Sequence, residues 1–268
     1  MLAMLSQCSV SGKGGQVMTP SEKAIKQKAE TRKSRDVDLS FFVAFLRSNL
    51  DSCTNDGGVG SILEFPPFQL MPQDYLAYAT EAINSPTDAN RINCIAHLKR
   101  AAECQADTFL HVLSLAKHSQ TRNFPLKMAT ISKLNIMPAR SLTKLNAVRN
   151  KMEHEYSVPD IDDLELYFDL VAGFVAALEG AIFMLASSTH IDFAPEDSNI
   201  ADAPWFSIEY ELKSPYIKCT MRDAEFESVY RVTPDHWDAF IETLRIFVLL
   251  TRTRHLISND FVLSHLHL

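Results

Sequence analysis

From residue 38 the chain reads "DLSFFVAFLRSNL", which places Phe41, Phe42 and Phe45 on one side of a short amphipathic helix that needs a surface to be buried against. "PQDYLAYATEAIN" opens on Pro72, a residue favoured in the first turn of a helix. After a turn at Ser85 and Pro86, a long helix is predicted from about residue 89 to 117, where Ile92, Ile95, Ala96, Ala102, Phe109, Val112 and Leu113 recur at helical spacing. The pattern is less clean between Lys99 and Asp107. Pro125 and Pro138 each open a further helix, and Pro159 starts "DIDDLELYFDLVAGFVAALEGAIFML". Its apolar run, 170–186, falls slightly short of a comfortable membrane span and carries Glu179, so it reads as a buried bundle helix.

After a polar break over 187–203 the period falls from 3.6 to 2. In "WFSIEYEL", Phe206, Ile208, Tyr210 and Leu212 face one way while Ser207, Glu209 and Glu211 face the other. "YIKCTM" and "FESVYRV" follow, separated by short polar turns, and the three predict an antiparallel meander. Thr233 and Pro234 then cap a helix whose packing face is Trp237, Phe240, Ile241, Leu244, Phe247 and Val248. A lone meander is marginal in water, so this helix is expected to cover one of its faces.

The expected fold is therefore mainly α. A helical bundle spans 37–187, with its core at about 72–187, and a small three-stranded meander with a C-terminal helix spans 204–257. "TNDGGVGS", 54–61, reads as a linker. Residues 1–36 read as a disordered segment that includes a basic arm, "SEKAIKQKAETRKSR", at 21–35. That arm is either a contact for phosphates or a membrane surface, or a solvated tail without a partner.

The net charge of -7 over 268 residues argues against non-specific grip on long nucleic acid, which needs many excess cations, so any RNA contact must be local. Five scattered cysteines without a Cys-x-x-Cys pair, and the absence of a convincing export signal, point to a reducing, cytoplasmic setting and not to a membrane. Metal ligation is not expected. Asp160, Asp162, Asp163 and Glu165 sit where a helix dipole alone favours acids. Cys94, His97, Cys104 and His111 are spread along about 26 Å of helix, too far to converge on zinc.

The chemistry concentrates at "AVRNKMEHEYSVPD", 147–160. On a wheel at about 100° per residue, Leu142, Leu145, Val148, Met152 and Tyr156 share an apolar sector with Arg149 at its edge. Arg149 and His154 would diverge by about 140° in an unbroken helix. Spacing alone permits a bland reading: an exposed Arg149–Glu153 pair worth about 0.2–0.5 kcal/mol, and a surface histidine near a helix end.

Arg149-Asn150-Lys151-Met152-Glu153-His154 resembles the Arg-Asn-x-x-x-His signature of the HEPN superfamily, and its setting before a strongly apolar helix is similar too. The resemblance covers roughly 72–187. It implies a helical bundle that forms homodimers and a metal-independent ribonuclease without a cofactor, of the kind found in toxin–antitoxin, phage-defence and RNA-processing systems. An antitoxin or other protein partner is part of that implication. His154 would be the acid/base, since its pKa lies near neutrality. Arg149 would stabilise charge on the phosphate, and Asn150 would position. Lys151 and Tyr156 would hold phosphate or base. Two histidines from a dimer would supply both base and acid. The alternative is a HEPN-like scaffold that binds RNA or protein without catalysis.

Overall fold

The computed structural model describes residues 33–85, 87–137, 161–195, 203–253 and 256–266, with the backbone alone at 161–163. The first element is a short strand, β1 (Lys33–Asp36). The Asp38 carboxylate then accepts the Phe41 N–H at 2.9 Å and caps α1 (Leu39–Asn49). A 3₁₀ turn leads into β2 (Thr54–Val59). Next come α2 (Pro72–Asn84), with Pro72 in its first turn, and α3 (Asp88–Val112), capped by Thr87. α4 (Phe124–Lys133) is capped by Asn123, and α5 runs over Ile161–Ser187. Four strands follow: β3 (His190–Ala194), β4 (Trp205–Glu211), β5 (Tyr216–Arg222) and β6 (Phe226–Val232). α6 (Trp237–Leu250) and α7 (Asn259–Ser264) complete the order.

The mainly-α expectation with a three-stranded meander is overturned. Among the described residues seven helices accompany one six-stranded sheet of order β1-β6-β5-β4-β3-β2. Neighbours from β2 to β6 are antiparallel and β1 runs parallel to β6, so the sheet is mixed. The meander is its middle, with Ile208 set between Ile191 and Cys219. The three added strands escaped notice for physical reasons. β1 is exposed throughout and β2 largely so, and an edge strand with two wet faces has no apolar alternation to read. β3 does alternate Ile191 and Phe193, but over only five residues.

Two glycines of "TNDGGVGS", Gly58 and Gly60, serve close approach and not slack. A Cβ on Gly60 would lie 2.1 Å from the Ala186 carbonyl oxygen, and one on Gly58 2.8 Å from that of His190. A bulge between Asn55 and Gly57 bends the strand there.

One face of the sheet carries the helices. Phe42 and Phe45 of α1 meet Tyr230 and Phe206, and Tyr210 packs edge-on against Phe240 and Phe247 of α6. The helical layer is built from α2 along α3 and α3 along α5, with α4 against α3. α5 is the one described helix long and apolar enough to cross a membrane. Its Leu164, Tyr167, Val171, Phe174 and Leu178 are instead buried in the shared core, while Leu166 and Phe183 face outward.

α3 stops five residues short of the predicted end. Ser114 adopts φ 55°, donates to His111 O at 2.8 Å, and Leu115 donates to Leu110 O at 2.8 Å. That is a Schellman turn with serine where glycine is usual, so the sequence carried no stop signal. The conformation is strained for serine, and Ser114→Gly is expected to raise the urea midpoint by about 0.5–1 kcal/mol of stability. Gly60→Ala is expected to lower it by about 2 kcal/mol or more, because backbone must move. A neutral Gly60→Ala would mean that 54–61 is a linker after all.

Candidate functional site

Arg149, Asn150, Lys151, His154 and Tyr156 all lie outside the described residues, as do Pro138 and Pro159. The structure fixes the two ends of that stretch. Leu134, which follows α4, is fully buried, and Asn135 turns the chain at φ 54°, a conformation asparagine tolerates. Ile136 and Met137 then pack against the core. On the far side Leu164 and Tyr167 are buried within one or two turns of the start of α5. The chain thus leaves and rejoins one hydrophobic core on either side of 138–160.

Of the basic arm, Lys33 and Arg35 are described. Arg35 is committed to the sheet: its Nε donates to Ser228 Oγ at 2.8 Å, and its guanidinium lies 4.8 Å from the Phe41 ring and 4.5 Å from that of Phe226.

A concave site does form among described residues, at the outer side of the helical layer. α5 supplies Glu179, Ile182, Phe183 and Ala186, which share one helix face, and α3 supplies Gln105 and Thr108. The segment between β2 and α2 closes it with Ile62, Leu63, Phe65 and Met71. The groove holds about 570 Å³, within the range of small-molecule sites. Its rim is unusually wet for apolar residues: Ile62 is 98% exposed, Phe183 73% and Phe65 56%.

The polar groups of the groove are few. Among the described residues lining it Glu179 is the only charged one, and its Oε1 accepts Gln73 Nε2 at 3.0 Å. Gln105 is 2% exposed, and its Nε2 has no hydrogen-bond partner. The Thr108 hydroxyl is buried and likewise lacks a partner at bonding geometry. Its neighbour one turn back, the Cys104 thiol, is a weak partner at best and donates to Leu70 O at 3.6 Å. Burial raises the Cys104 pKa, an effect the Thr108 contact offsets only in part. A buried amide without a partner is costly, so Gln105 needs an explanation that packing does not give.

Gln105 and Thr108 fall where the helical pattern of "KRAAECQADTF" blurs, because polar residues interrupt the buried stripe. That blur was the available signal. The 61–71 wall has no periodicity and gave none.

On the same helix Cys94 is buried, its thiol pKa pushed up to about 11 by desolvation. His97 lies 5.4 Å from the Tyr78 ring. Among the described residues no three His, Cys, Asp or Glu side chains converge as metal ligands. Compared with known protein families, with curated proteins and with solved structures, the chain matches none.

Burial first, and then the positive charge of Arg100, lower the His97 pKa below its ordinary 6.5. The unfolded chain therefore takes up the proton first. The contribution of His97 to stability begins to fall as pH drops through about 6.5 and levels off below the folded pKa. An NMR titration is expected to place the His97 midpoint below 6.5, with Arg100→Gln raising it only part of the way. A midpoint at or above 6.5 would contradict this.

Proposed function

We propose that this protein is a metal-independent endoribonuclease of the HEPN type. The observation that carries the reading is the Arg149-Asn150-x-x-x-His154 sequence, set between a helix that ends at Lys133 and the apolar helix that begins at Ile161. The reading draws on that motif and on the helices between 72 and 187, and it gives the six-stranded sheet no part in the reaction.

In the proposed reaction the 2′-oxygen of the substrate attacks the adjacent phosphorus. One His154 takes the 2′-hydroxyl proton as the P–O bond forms. The P–O5′ bond breaks, and the leaving oxygen takes a proton from the second His154 of a homodimer, giving a 2′,3′-cyclic phosphate and a free 5′-hydroxyl. Arg149 neutralises the charge that gathers on the non-bridging oxygens, and Asn150 orients the imidazole or the phosphate. Lys151 and Tyr156 hold the flanking nucleotide. The acidic net charge of -7 confines the RNA footprint, consistent with a selected RNA rather than any long strand, and a toxin–antitoxin or phage-defence role fits such a restrained nuclease.

The test is cleavage of single-stranded RNA with excess chelator present. His154→Ala and Arg149→Ala are each expected to lower the rate by about 10²-fold or more while circular dichroism stays native. Equal cleavage by all three proteins would overturn the assignment and leave a non-catalytic scaffold.

A further inference from the structure

β2 holds the one Asp-Gly pair of the chain, Asp56-Gly57, and no Asn-Gly pair occurs. The side-chain carboxyl of an aspartate before glycine can close on the next backbone nitrogen, because glycine sets no Cβ in the way of the ring. Regular sheet opposes that closure by pairing each residue across the ladder and holding its backbone extended. β2 lifts the constraint at this pair. Its ladder matches Asn55 with Phe193 and Gly57 with Asp192, so Asp56 is the extra residue of the bulge, without a partner in β3. Asp56 is exposed, and the Gly57 N–H donates to Asn55 Oδ1 at 3.1 Å, a bond within the bulge itself. The space beside Gly57 is open, since a Cβ built there would meet nothing within 4 Å.

We propose that Asp56 is a site of spontaneous isomerisation to isoaspartate in the folded chain, a modification that needs no reagent but water and has no part in the reaction above. Gly57 N attacks Asp56 Cγ, and the amide proton and the carboxyl hydroxyl leave together as water, which closes a succinimide. Water then opens the ring. Cleavage between the nitrogen and Cγ restores aspartate. Cleavage between the nitrogen and the Asp56 α-carbonyl carbon leaves the chain running through the side chain, longer by one methylene. That methylene enters just before a segment with no room for slack: Val59 O accepts the Thr189 N–H at 2.8 Å, and Gly60 lies against the Ala186 carbonyl. The product therefore loosens the hold of β2 on the end of α5. Asp51-Ser52 is the internal comparison. It is exposed too, but it sits in a 3₁₀ turn closed by Cys53 N–H to Leu50 O at 3.2 Å, and serine carries a Cβ.

The test is to age the full chain at neutral pH and body temperature, native beside unfolded in urea, and to locate isoaspartate by peptide mass spectrometry with electron-transfer fragmentation. Isoaspartate is expected at residue 56 of the native protein, at a rate within a few-fold of the unfolded chain's, and not at Asp51. Asp56→Asn is expected to form it several-fold faster, because ammonia leaves in place of water. Asp56→Glu keeps the charge and the bulge but would need a larger ring, and is expected to abolish it. In aged protein the Thr189 amide is expected to exchange with deuterium faster, with β5 unchanged. Isoaspartate confined to the urea sample would mean that the sheet protects Asp56 and would overturn the proposal. Equal formation at Asp51 would also overturn it, since the bulge would then confer nothing. Unchanged exchange at Thr189 in protein that carries isoaspartate would overturn the loosening of β2. RNA cleavage is read independently of all these outcomes.

Discussion

A buried hydroxyl ties the middle of the sheet to the end of a central helix. Tyr210, in the middle of the sheet, donates its phenol O–H to the carbonyl oxygen of Leu113 at 2.6 Å, directly after the last turn of α3. The last carbonyls of a helix have no partner within it, and burying one unpaired would cost about 1–3 kcal/mol. Tyr210 is itself enclosed by Phe240 and Phe247, and burial raises its pKa far beyond any working pH, so the phenol remains a donor. The bond therefore needs both layers in place. It anchors the end of α3 to the sheet, and α3 lies between α2 and α5.

The far end of α5 is pinned in a similar way. Thr189 donates its N–H to Val59 O at 2.8 Å, accepts the Tyr210 N–H at 2.7 Å, and shares a 2.8 Å hydroxyl contact with Ser61. The helix that begins where the Arg-Asn-x-x-x-His stretch ends thus runs through the core and stops on the sheet. Both candidate sites are bounded by this frame. The 138–160 stretch departs from buried Leu134 and returns towards buried Leu164, and the groove is framed by α3, α5 and the chain leaving β2. An edge strand that looked like slack is what leads the chain to the groove that Ile62 and Phe65 line with Phe183.

The helices that begin near Asp38, Pro72 and Pro125 were legible because each buries one stripe and opens on a residue that suits a first turn, whereas α7 gave no periodic signal over its six residues. The middle strands were legible because one face of β4 is Phe206, Ile208 and Tyr210. What stayed hidden was structure set by neighbours and not by local pattern. β1 and β2 take their conformation from the strands they pair with, and Gly58 and Gly60 are dictated by carbonyls more than a hundred residues away. The end of α3 depends on a serine in a left-handed turn. Gln105 and Thr108 showed only as a blur in an otherwise apolar stripe, whereas the proposal for Arg149, Asn150 and His154 rests on their residue types and a family resemblance, outside the described residues.

The central claim is that helices and sheet form one cooperative body locked at the Tyr210–Leu113 contact. Scanning calorimetry of the full chain and of Tyr210→Phe tests it most directly. The account expects one transition whose calorimetric and van't Hoff enthalpies agree, shifted as a whole in the variant by about 1–3 kcal/mol of lost stability. Two separable transitions, with the substitution moving only one of them, would contradict it.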